Sequence, residues 1–219
     1  MKAVTRQIET VVSGRCLLDA PEGRGPFPLL LGFHGYGQTA EDMLAMMRGI
    51  PGADGWLLCA VQALHPFYPR PKRIGACWMT SQDRELRIRE NIEYVKRVVK
   101  QFRRSESAGR SLVYYGFSQG TAMASRAAIL GAEKPGGVIL HGGDIPPELD
   151  DLGRMGRVLI ARGREDRIYK PERWESDLAR LDASSVDTTR CEFDGGHEAG
   201  APFLEAAGRF LAESTGLGG

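Results

Sequence analysis

The stretch from Ser111 to Leu130 limits this chain more than any other. It opens with an apolar, β-prone run, Ser111-Leu112-Val113-Tyr114-Tyr115. It closes with an Ala-rich helical run, Thr121 to Leu130, stopped by Gly131. Between them lies Gly116-Phe117-Ser118-Gln119-Gly120, a G-x-S-x-G pentapeptide at a strand-to-helix junction. A serine that must stand clear of a sheet needs a very sharp turn, and such a turn strains its backbone. Side chains two residues to either side would collide, so both flanking positions call for glycine. The first N–H groups of the following helix lack partners and favour negative charge. An ordinary Gly-rich turn with a solvated serine explains the pentapeptide by itself. The strand before it and the small-residue helix after it favour the sharper reading.

At 219 residues the sequence predicts one domain over 1–219. A net charge of +1 gives no pull toward nucleic acid or an anionic membrane, so no nucleic-acid partner is expected. Cys16, Cys59, Cys77 and Cys191 show no C-x-x-C pairing and read as reduced thiols of a cytoplasmic protein. The first residues show no apolar h-region and no run reaches transmembrane length, so neither a signal peptide nor stable membrane insertion is expected. The tail from Thr215 to Gly219 is expected to fray.

Strand and helix patterns alternate along the chain. Val11–Leu18 reads as a strand. Pro28–Phe33, Trp56–Val61, Gly137–Leu140 and Arg157–Ala161 are short apolar runs suited to strands buried on both faces. Asp187–Phe193 reads as a last strand. Helices are predicted over Thr39–Arg48, Gln82–Arg103, Pro171–Leu181 and Phe203–Glu213. Residues 62 to 81 read as irregular, with 65 to 81 close to the candidate site. The fold class is α/β, a mostly parallel central sheet flanked by helices on both faces.

Reactive groups in such folds gather beyond the carboxyl ends of the strands. His34-Gly35-Tyr36-Gly37, Ser118, His141-Gly142-Gly143-Asp144, Gly163-Arg164-Glu165-Asp166 and Asp194-Gly195-Gly196-His197 all fall there. A nucleophilic serine needs a base within reach and an acid to orient that base. Ser118, Asp166 and His197 meet the requirement in the order Ser…Asp…His. Among the histidines, His34 is placed to brace a turn, His65 lies in the irregular segment, and His141 suits packing or hydrogen bonding. Asp166 is preferred as the acid, with Asp144, Glu165 and Asp194 as alternatives. The backbone N–H groups of Tyr36 and Gln119 are candidate oxyanion donors. Phe67, Tyr68, Trp78 and Met79 are candidates for one wall of a substrate pocket.

These motifs resemble the phospholipase/carboxylesterase family of α/β-hydrolases, which includes acyl-protein thioesterases, and more distantly the dienelactone hydrolases. The likeness runs from about Thr10 to Leu211. It rests on His34-Gly35-Tyr36-Gly37, Gly116-Phe117-Ser118-Gln119-Gly120, Gly163-Arg164-Glu165-Asp166 and Gly196-His197. Two departures stand out. The family's acid loop usually continues to Val-Pro, where this chain reads Arg167-Ile168-Tyr169. Arg70-Pro71-Lys72-Arg73 is more basic than the family pattern and bears on the substrate. The resemblance implies a serine esterase acting on small-molecule esters or thioesters, without metal or cofactor. A homodimer is compatible with it. A peptidase and a non-catalytic binding module on the same scaffold are the rival readings. A peptidase often has a large cap domain, for which 219 residues leave no room.

Overall fold

The computed structural model describes residues 2–104 and 108–215. Of the expected fraying tail, residues 216–219 lie outside the described residues. Seven strands form one sheet in the order β1-β3-β2-β6-β7-β8-β9. They are β1 (Cys16–Asp19), β2 (Phe27–Phe33), β3 (Leu57–Val61), β6 (Ala108–Phe117), β7 (Gly137–His141), β8 (Arg157–Gly163) and β9 (Thr188–Phe193). All neighbouring pairs are parallel except β1 with β3. A separate two-stranded hairpin joins β4 (His65–Arg70) to β5 (Arg73–Cys77).

Side-chain alternation explains why the central strands are apolar throughout. Leu29, Leu31 and Phe33 of β2 point into one core, and Leu30 points into the other. On β6, Leu112 and Tyr114 part from Val113 and Tyr115 in the same way. The first core is covered by α2 (Arg84–Arg104), α3 (Gln119–Leu130) and α4 (Pro171–Ala183). The second is covered by α1 (Ala40–Arg48) and α5 (Ala201–Ser214). Thr39 caps α1, its hydroxyl accepting from the Asp42 N–H while the Asp42 carboxylate accepts from the Thr39 N–H. Pro171 and Pro202 sit in the first turns of α4 and α5, where a missing N–H costs nothing. Among the described residues, no helix is long and apolar enough to cross a membrane.

Two expectations need correction. The first strand begins at Cys16, not Val11. Its partner β3 runs only from Leu57 to Val61, and Cys16 already pairs with Val61; beyond that pair only the Arg15 carbonyl, accepting from the Gln62 N–H at 2.9 Å, extends the contact among the described residues. The segment read as irregular is the β4–β5 hairpin. Pro66 and Pro69 are tolerated because a two-stranded ribbon has outward edges that need no N–H. Pro71-Lys72 closes the turn, with Lys72 in left-handed backbone at φ 65.

Candidate active site

Ser118 stands between β6 and α3 with φ 53 and ψ −119, far from any conformation a serine prefers. Its neighbours hold it there. The Ser118 N–H donates to His141 O at 2.8 Å, and its carbonyl accepts from the N–H of Thr121 at 3.0 Å and from the Thr121 hydroxyl. The flanking glycines are required by contact. A Cβ at Gly120 would lie 1.9 Å from Phe33 O, and one at Gly116 2.3 Å from Gly120 O. Ser118 Oγ has no hydrogen-bond partner among the described residues.

Asp166 follows β8 in a turn that fixes both carboxylate oxygens. The N–H groups of Ile168 and Tyr169 donate to Oδ1 at 2.7 and 3.0 Å. His197 Nδ1–H donates to Oδ2 at 2.7 Å. Asp166 is only 5 % exposed, so the carboxylate end of the pair is screened from water. The other carboxylates are engaged elsewhere or exposed. Asp144 binds Arg173 at 2.8 Å, Asp194 binds Arg164 at 2.5 Å, and Glu165 faces solvent. The bond at Nδ1 leaves Nε2 as the free nitrogen of His197. Its ring packs on Phe117, the residue before Ser118, with centroids 4.9 Å apart.

The other histidines have different surroundings. His34 is buried, with Nδ1 donating to Gly35 O at 2.7 Å and Nε2 accepting from the Ala63 N–H at 3.1 Å. Burial holds its pKa below the usual value. His141 is stacked on Phe203 at 3.8 Å between centroids. Its Nε2–H donates to Glu198 O at 3.1 Å and its Nδ1 accepts from the Tyr115 hydroxyl at 3.2 Å. Burial pushes its pKa down to about 3. His141 therefore ties down the carbonyl beside His197 as a neutral ring. His65 opens β4, half-buried, with Nε2 unpartnered among the described residues.

No protein-family model and no curated protein matches the sequence. Solved structures do resemble it. A carboxylesterase from Mesorhizobium loti aligns with TM-score 0.77 over 94% of this chain and 98% of its own, at 18% identity. An acyl-protein thioesterase 2 from Zea mays aligns with TM-score 0.72 over 92% and 99%, at 15% identity. The esterase PE8 aligns with TM-score 0.70 over 94% and 100%, at 24% identity. The chain has the α/β-hydrolase fold.

Within this α/β-hydrolase sheet, the Tyr36 and Gln119 backbones follow β2 and β6, at the strand ends where ligands gather. Neither N–H has a hydrogen-bond partner among the described residues. The four pocket-wall candidates divide. Phe67 packs on Tyr36 with centroids 5.1 Å apart. Met79 is half-buried, and its carbonyl accepts from Gln119 Nε2 at 3.1 Å. Tyr68 alternates to the opposite face of β4 and is 71 % exposed. Trp78 is no wall residue. It is 0 % exposed, packed edge-on against Phe33 at 5.5 Å, with its indole N–H donating to His34 O at 2.9 Å. The N–H at the ring edge draws the indole under the site, where it completes the core.

Two side-chain roles at the site, those of Gln119 and Tyr169, escaped the sequence reading. The Gln119 side chain accepts from the Trp78 N–H at 3.0 Å while donating to Met79 O, so it splices β5 to the nucleophile turn. No local pattern announces a partner 41 residues away. Tyr169 did carry a signal, the departure from Val-Pro. In this chain the departure supplies the Tyr169 N–H that donates to Asp166 Oδ1. The Tyr169 hydroxyl donates to buried Asp177 at 2.7 Å and anchors the turn from behind. Among the described residues, no group of three or more His, Cys, Asp or Glu is placed to hold a metal ion.

Proposed function

We propose that this protein is a serine hydrolase that cleaves carboxylic ester or thioester bonds through an acyl-enzyme. The observation that carries the reading is the partly buried 2.7 Å bond from His197 to Asp166, beside the strained turn at Ser118. Ser118 Oγ attacks the carbonyl carbon while His197 Nε2 takes the hydroxyl proton. Asp166 holds the imidazole in the tautomer with its proton on Nδ1 and stabilises the imidazolium that forms. The N–H groups of Tyr36 and Gln119 receive the negative oxygen of the tetrahedral intermediate. Collapse expels the alkoxide or thiolate, which takes its proton from His197. Water then attacks the acyl-serine by the same steps and releases the carboxylic acid. The esterase and thioesterase names of the similar structures support this chemistry.

The test is labelling with a fluorophosphonate, read by mass spectrometry at Ser118, beside hydrolysis of p-nitrophenyl esters and acyl thioesters. One adduct at Ser118 and turnover of either series are expected. Absence of both would return the scaffold to a binding module.

A further inference from the structure

The β4–β5 hairpin ends in Arg70-Pro71-Lys72-Arg73. From Gly55 to Gln82 the chain has no Asp or Glu. Arg70, Lys72 and Arg73 are exposed, with no acidic partner among the described residues. Arg70 and Arg73 face each other across the ribbon, and like charges directly opposed destabilise a strand pair. An anion seated between them would relieve that repulsion.

The hairpin lies against the loop that carries Tyr36. The Gly37 N–H donates to Ala76 O at 3.0 Å, and the Ala76 N–H donates to Gln38 O at 2.9 Å. A Cβ at Gly37 would stand 3.6 Å from the Cβ of Pro69, and one at Gly75 2.4 Å from Gly37 O. Pro69 thus touches the loop, and Arg70 is the next residue. Strand residues advance about 3.3 Å each, less than the length of an arginine side chain. Arg70 therefore follows directly on the residue beside the loop whose Tyr36 N–H is the proposed oxyanion donor, and Lys72 and Arg73 continue the same turn.

The geometry points to Arg70, Lys72 and Arg73 as a subsite for a carboxylate or phosphate on the substrate, carried by the arm of the ester or thioester that passes over the Tyr36–Gly37 loop. This rests on the reading of Ser118 as nucleophile. The preferred substrate is then an ester with negative charge at a distance from the scissile bond. Because the cations are exposed, salt weakens the preference.

The experiment compares kcat/KM within two matched pairs of esters. In the first, mono-p-nitrophenyl suberate is set against p-nitrophenyl octanoate, with the charge on the acyl arm. In the second, 4-(butyryloxy)benzoate is set against its methyl ester, with the charge on the leaving group. In at least one pair the ratio of anionic to neutral ester should fall about tenfold in R70Q/K72Q/R73Q, the scale of a few exposed ion pairs, and fall also in high salt. R70E/R73E should lower it further. An unchanged ratio in both pairs overturns the subsite. So does an effect confined to reactions containing anionic lipid vesicles, which would make the tip a surface anchor. Ser118→Ala separates the two ideas. If it still hydrolyses these esters, the nucleophile reading has failed; if it is silent while the ratios stay flat, only the subsite has.

Discussion

Ser118 combines backbone strain with a hydroxyl that has no partner among the described residues, and the strain is a consequence of its neighbours. Ser118→Ala is expected to keep its fold and lose turnover by about 10⁶, the cost of removing a triad serine elsewhere. Asp166→Asn is expected to lower kcat by about 10⁴, because it forces the wrong histidine tautomer, while Asp144→Asn changes little. Steady-state kinetics on one chromogenic ester ranks all three, and the reverse order for the two aspartates would move the acid to the strand after α3. Gly120→Ala should cost at least about 1–3 kcal/mol in a urea titration, since its methyl meets a backbone carbonyl that cannot step aside. At this scale the sequence was most readable where spacing carries the information. The elbow glycines were visible because sterics at a tight turn dictate them. The Gln119 tether to Trp78 was not, because a long-range hydrogen bond leaves no local trace.

Among the elements, the β4–β5 hairpin departs furthest from what the sequence suggested. Its prolines spoke against a helix and hid a ribbon, since edge strands tolerate proline. The apolar central strands were legible because burial on both faces forces an unbroken apolar run. Trp78 shows the limit of such reading, because a large aromatic near a site looks the same whether it faces substrate or core. Its burial fixes the expected phenotype. Trp78→Ala should cost about 3–5 kcal/mol of stability. It should also depress kcat/KM by one common factor from acetyl to octanoyl esters. A loss growing with chain length would put the indole against the acyl group after all.

Over the whole molecule, two buried neutral histidines contribute to the response to acid. His34 and His141 have pKa values below the ordinary 6.5, through burial. The unfolded chain therefore binds protons that the folded one refuses, so stability rises with pH. Their contribution is complete above about pH 6.5 and declines as pH falls, continuing for His141 to about 3. Each costs about 1.4 kcal/mol per pH unit within its window. Asp177, raised by burial, acts in the opposite sense, its share lost as pH rises through its elevated value. Urea midpoints at pH 7.5 and 5.0 should show the protein weaker at 5.0, and His141→Phe should flatten that difference.

The strand order has a further consequence. Among the described residues, β9, which delivers His197, is the last strand of the sheet and is paired on one side only. Ser118 follows β6, which is flanked by β2 and β7. The two halves of the proposed machinery are thus fastened with unequal security. An edge strand opens at lower free energy than the strands inside it. During slow heating the base should drift away from a nucleophile still firmly seated, and a warmed sample should fall silent while its circular dichroism still reports an intact sheet.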